Sequence, residues 1–122
     1  KIAKAKVNPS EAYEQKSTVK WFWDIYPDHK IICVRNDGSR TRVERSQQVI
    51  MGVKKGVSDL YIPCIRLWLE MKRIRGSKLN DPDQLAWKEY VESIGDVYFM
   101  AQGAEEAKNI ISEMMDKKYF SL

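Results

Sequence analysis

Apolar residues recur at helical spacing over residues 10–26, where Ala12, Val19, Phe22, Trp23 and Tyr26 share a side, Ser10 stands at a capping position, and Pro27 and Asp28 end the run. An amphipathic first helix is predicted. Residues 30–35 are apolar and β-branched enough for a strand, and Asn36, Asp37, Gly38 and Ser39 follow as a turn signal. Residues 43–51 read as a short helix or an ordered loop, after which Gly52 and Gly56 bracket the cationic pair Lys54 and Lys55. The pattern over 57–62 and 65–73 is that of two strands, with Pro63 and Cys64 near the reversal, so a hairpin is expected. Beyond a loop at 76–82, Asp81 or Pro82 opens a helix to about residue 94, with Leu85, Trp87, Tyr90 and Val91 apolar and Gly95 as its stop. A strand at 97–100 and a last helix at about 104–117, with Ala104, Ala107, Ile111 and Met114 on one face, complete an α/β domain.

Composition narrows the class. A chain of 122 residues with 43% hydrophobic residues is long enough for one domain with a real core and too short for two ordinary ones, so residues 1–122 are expected to form one domain with its core at about 10–117. No apolar run approaches the roughly 20 residues that span a bilayer, so no membrane association and a soluble, cytoplasmic protein are expected. Cys33 and Cys64 lie far apart without a CxxC pair and are expected to be reduced, buried thiols; His29 is expected at the surface or at a strand entry. Of the four tryptophans, Trp21, Trp23, Trp68 and Trp87, most are expected in the core. The net charge of +4 is modest, but Arg35, Arg40, Arg42, Arg45, Lys54 and Lys55 face only Asp37 and Glu44 within one segment. A concentrated positive field of this kind suits phosphates, although a basic solvated loop reads the same way by charge alone.

The chemistry lies in the hairpin. Along 65–73 the alternation directs Trp68, Glu70 and Lys72 to one face and Leu67, Leu69 and Met71 to the other. A hairpin symmetric about the bond between Cys64 and Ile65 sets Asp59 directly opposite Glu70, on the face that also carries Lys72. Two carboxylates so placed repel unless a cation lies between them, and Mg²⁺ accepts one or two carboxylates while keeping several waters. A nearby lysine can then orient or deprotonate the attacking water, or stabilise the charge that grows on a phosphate. A Glu-x-Lys on a strand is by itself usually an ordinary solvated face; the opposing Asp59, the preceding GVKKG and the basic segment make this pattern more specific.

These residues resemble the PD-(D/E)XK nucleases, and among them the VRR-NUC (virus-type replication-repair nuclease) domain. The resemblance runs through MGVKKGVSDLYI, LWLEMKR, GSKLNDPDQLAW, a G-x-V-Y-x-hydrophobic strand and a closing helix beginning GAEEA, with SEAYEQ near the start. It covers residues 10 to about 115 in matching order and spacing. It implies a restriction-endonuclease-like fold, a mixed central sheet flanked by helices. By that resemblance Asp59 and Glu70 are metal ligands for Mg²⁺ or Mn²⁺, Lys72 is the catalytic lysine, and the Met71 carbonyl completes the coordination. A first-helix glutamate also reaches the metal in the family; Glu11 matches that position better than Glu14. Gln84 matches a glutamine that the family carries near its active site, against the plainer reading of a polar residue at a helix start. Ser58 stands where the family motif has proline, a departure that touches local rigidity and not the ligand set.

The function so implied is metal-dependent, structure-selective DNA cleavage, with branched DNA such as a four-way junction as substrate and a homodimer to cut both strands. Lys54, Lys55, Arg73, Arg75, Arg40 and Arg42 are the expected DNA contacts. A general, flap- or end-processing nuclease of the same fold and a non-catalytic DNA-binding module are the alternatives.

Overall fold

The computed structural model describes residues 8–34, 41–76 and 81–120. The elements are α1 (Glu11–Ile25), β1 (Ile32–Cys33), α2 (Arg42–Ile50), β2 (Leu60–Ile62), a single 3-10 turn (Pro63–Ile65), β3 (Leu67–Lys72), α3 (Pro82–Ser93), β4 (Val97–Gln102) and α4 (Ala104–Tyr119). The strands form one mixed sheet in the order β1-β2-β3-β4, with antiparallel β1/β2 and β2/β3 pairs and a parallel β3/β4 pair. Among the described residues no helix is long and apolar enough to cross a membrane.

The hairpin keeps the predicted register: Leu60 pairs with Leu69, Tyr61 with Trp68 and Ile62 with Leu67. Both strands are shorter than expected, because Pro63 opens the 3-10 turn and Arg66 takes a left-handed φ of 51° to reverse the chain. The strand predicted over 30–35 is paired only at Ile32 and Cys33. Arg35 and the turn signal at 36–39 lie outside the described residues.

The sheet divides the molecule. Leu60, Ile62, Leu67, Leu69, Met71 and Ala101 are fully buried beneath α1 and α4, which supply Phe22, Ala107, Ile111 and Met115. Trp68 lies on the other face, where Tyr61 stacks on it at 4.2 Å and Trp87 of α3 meets it edge-on at 5.1 Å.

Ser10 caps α1 as predicted by accepting from the Tyr13 N–H at 3.1 Å. Its buried stripe, however, is Glu14, Thr18 and Phe22, while Ala12 is exposed and Trp23 is 60% exposed. The stripe follows i, i+4, i+8 because Glu14 finds a partner inside, which apolar periodicity cannot foresee. On α4 the fully buried methionine is Met115, with Met114 half-buried: Ala104, Ala107, Ile111 and Met115 follow the helix pitch. On α3 only Val91 is buried, and Leu85 and Tyr90 face outward. Residues 42–50 form a helix, fixed by a capping box in which Thr41 Oγ1 accepts from the Glu44 N–H and Glu44 Oε1 from the Thr41 N–H.

Both cysteines are free, but the expectation of two buried thiols fails: Cys33 is exposed, on a short strand where its Sγ accepts from Gln15 Nε2 at 3.3 Å, and Cys64 is half-buried against Met115. His29 is half-buried, its ring 5.0 Å from that of Tyr119. None of the tryptophans is fully buried, since Trp21, Trp68 and Trp87 pack at the margins of helices and sheet.

Candidate active site

Strand β2 starts at the site. Asp59, immediately before Leu60, is held at two points: its carbonyl accepts the Val34 N–H at 2.8 Å and its Oδ2 accepts the Met71 N–H at 2.8 Å. The carboxylate thus takes a backbone donor of β3 just before the first paired residue of β2, and fixes Asp59 across from Glu70. Glu70 lies in the middle of β3, 4% exposed. Its Oε2 receives a hydrogen bond from Gln84 Nε2 at 3.1 Å and lies 3.7 Å from Lys72 Nζ. Asp59, Glu70 with Lys72, and Gln84 are therefore brought together from three segments of the chain.

Burial dominates the electrostatics. It raises the Asp59 carboxyl above its ordinary value, against the Met71 N–H, which favours the anion; Glu11 raises it further and Lys72 opposes. Glu70 is pushed up to about 8, first by burial and then by the charge of Asp59, again opposed by Lys72. The charge of Asp59 disfavours ionisation of Glu70, a cost that a cation between the two would relieve.

The two glutamates of α1 separate. Glu14 is 4% exposed, and its Oε1 accepts the Ala104 N–H at 2.9 Å, joining α1 to the first turn of α4. Glu11 is exposed, yet its charge acts on both Asp59 and Glu70. Glu14 ties two helices together, and Glu11 acts on the carboxyl pair through its charge.

Gln84 owes its place to Asp81 and Gly56. Asp81 caps α3 by accepting from the Asp83 and Gln84 N–H groups. Gly56, at φ +84°, lies so close to Asp83 that a Cβ there would fall 2.3 Å from the Asp83 carbonyl oxygen, so only glycine lets the two segments meet.

Of the other expected contacts, Lys54, Lys55, Arg73, Arg75 and Arg42 are all exposed. Arg75 is tied through its backbone, its N–H and carbonyl bonding the Asn8 side chain at 3.3 Å each. Arg40 lies outside the described residues. Met71 donates its N–H to Asp59, and its side chain belongs to the core.

The donor set fits a hard divalent ion. Among the described residues no group of three or more His, Cys, Asp or Glu closes on one point, but Mg²⁺ needs only one or two carboxylates beside its waters. Asp59 and Glu70 supply these, and Glu70 Oε1 is buried without a hydrogen-bond donor.

Sequence reasoning missed two hydroxyls here. Tyr98, 5% exposed, pairs with Trp68 across the parallel β3/β4 ladder and feels the charges of Glu70 and Asp59; Ser58 is fully buried beside it. Ser58 drew notice only as a departure from proline, and Tyr98 only as part of a strand pattern. Their meeting depends on β4 running parallel to β3, which local periodicity does not encode.

Compared with known proteins, the chain is similar to a solved structure described as a VRR_NUC domain protein: the match covers 88% of this chain and 89% of that one, with a TM-score of 0.74 and 21% identity. The chain has that fold. No protein-family model and no curated protein matches it.

Proposed function

We propose that the protein is a metal-dependent DNA endonuclease that hydrolyses phosphodiester bonds, with branched DNA such as four-way junctions as its substrate. The observation that carries the reading is the convergence of Asp59 and Glu70 with Lys72 Nζ 3.7 Å from Glu70 Oε2. The VRR_NUC fold supports it.

A divalent ion such as Mg²⁺ or Mn²⁺ supplies, when bound, Lewis-acid stabilisation of the charge that builds on the phosphate. Asp59 and Glu70 would hold it, with Glu11 adding negative charge from the end of α1 and the Met71 carbonyl as a further donor. The Met71 N–H and Gln84 fix the two carboxylates in orientation, so little rearrangement accompanies binding. Lys72 orients the attacking water or stabilises the phosphate oxygens as their charge grows. Arg42, Lys54, Lys55, Arg73 and Arg75, with Arg40, bind flanking phosphates, so affinity falls steeply with salt.

Symmetric cutting of a junction calls for a two-fold dimer. In support, α2 buries no residue of its own and exposes Val43, Val49 and Ile50, with Met51 just beyond it, an apolar surface open to a second copy. The same reading places the protein in the cytoplasm of a bacterial or phage-infected cell.

The test is cleavage of labelled four-way junction, flap, single-stranded and duplex DNA in Mg²⁺, Mn²⁺ or EDTA, with Lys72→Ala and Asp59→Asn as controls. Cleavage by wild type alone, dependent on metal and fastest on the junction, is the expected result. A preference for flaps or plain duplex would make it a general nuclease of the same fold. Salt-sensitive DNA binding with no cleavage under any metal would sink the catalytic reading.

A further inference from the structure

Two hydroxyls lie buried near the carboxyl pair with no hydrogen-bond partner, Ser58 Oγ and Tyr98 Oη. Ser58 is fully buried and Tyr98 is 5% exposed, so bulk water reaches neither freely. An unpartnered buried hydroxyl costs about 1–3 kcal/mol, and two side by side in one place need a reason. Tyr98 lies on the face of the sheet that carries Glu70, because its ladder partner is Trp68 and side chains two residues apart on β3 share a face. The surroundings of Tyr98 agree: burial and then the Glu70 charge hold its proton on, Ser58 opposes them, and Asp59 and Glu92 add smaller effects in the same direction as Glu70.

The donors explain what the hydroxyls are for. The Met71 N–H serves Asp59, while Gln84 Nε2 and Lys72 serve Glu70 Oε2, and Glu70 Oε1 is buried without a donor. A carboxylate that ligates a cation keeps its orientation through donors from the protein, and Glu70 Oε1 has none. Ser58 and Tyr98 are buried O–H groups without an acceptor.

We infer that Tyr98 and Ser58 form a hydroxyl pair that positions the ionised Asp59 and Glu70 carboxylates for the divalent cation, making both of them positioning residues of the site. The inference rests on the metal-dependent reading given above. It also assigns a use to the serine that stands where the family motif has proline: a proline there would leave Tyr98 without its neighbour.

The experiment is calorimetric titration of Mn²⁺ into DNA-free wild type, Tyr98→Phe, Ser58→Ala and the double variant, with melting of each protein in EDTA and cleavage rates over a Mn²⁺ series. Tyr98→Phe is expected to weaken Mn²⁺ binding about tenfold while leaving the rate at saturating Mn²⁺ within a few-fold of wild type. Its metal-free melting temperature should change little, since the hydroxyl removed bonds no carboxylate in the metal-free protein. The double variant should lose little more than Tyr98→Phe alone, as expected of groups acting together. Unchanged Mn²⁺ affinity in folded Tyr98→Phe and Ser58→Ala overturns the positioning role while leaving the nuclease reading intact. If Tyr98→Phe fails to fold, Ser58→Ala, the smaller change, decides by the same criterion. A wild type that binds no Mn²⁺ overturns the metal-dependent reading, and this inference with it.

Discussion

The two faces of β3 are built from alternate residues of six consecutive positions, yet they obey opposite rules. Leu67, Leu69 and Met71 are fully buried beneath α1 and α4 and are satisfied by contact alone. Trp68, Glu70 and Lys72 lie on the other face, where Glu70 is nearly as inaccessible but is an acid whose ionised form burial disfavours. One face is organised to lower the free energy of the fold; the other keeps a carboxyl pair at a cost to it. Stability and chemistry are therefore separable residue by residue along a single strand.

Neighbouring substitutions give the largest contrast. Glu70→Gln is expected to reduce cleavage by about 10³-fold or more, with a metal-free melting temperature equal to or above that of wild type, because it removes a buried acid whose ionisation burial and Asp59 disfavour. Leu69→Ala should cost about 2–5 kcal/mol in denaturant unfolding and leave the folded fraction able to cut. Equal loss of stability in both variants would erase the distinction between the faces.

The glutamates of α1 sharpen it on a smaller scale. Glu14→Ala strands the Ala104 N–H and is expected to cost about 1–3 kcal/mol in unfolding free energy. Glu11→Ala should leave unfolding unchanged and raise the Mg²⁺ concentration needed for half-maximal cleavage. The reverse outcome would exchange their roles.

The smallest effect is a pH dependence of the metal-free protein. With Glu70 raised from 4.5 to about 8, the folded state holds a proton that the unfolded state releases at lower pH. The stability linked to this proton is complete below about pH 4.5 and is lost as pH rises toward about 8. Melting temperature in EDTA should therefore decline across that window, and the Glu70→Gln variant should flatten the decline.

Much of this was legible in the sequence, for reasons that particular residues make plain. Ser10, Thr41 with Glu44, and Asp81 act on backbone donors a few positions away, so the helix starts are local information. The hairpin register followed from period-2 alternation and one centre of symmetry, and it carried Asp59 to Glu70. What was not legible is long-range. Glu14 is buried because its partner, Ala104, is ninety positions on, which turned the inward face of α1 away from Ala12 and Trp23. Tyr98 reaches the site through a parallel pairing that no short window contains, and Cys33 is exposed because its strand holds only two paired residues.

The approach of Gly56 to Asp83 has a consequence for how such a chain can change. Gln84 is located by its Asp81 cap and by two backbones touching across the molecule, at Gly56 and Asp83. A single methyl at position 56 would pull the two apart and carry Gln84 away from Glu70.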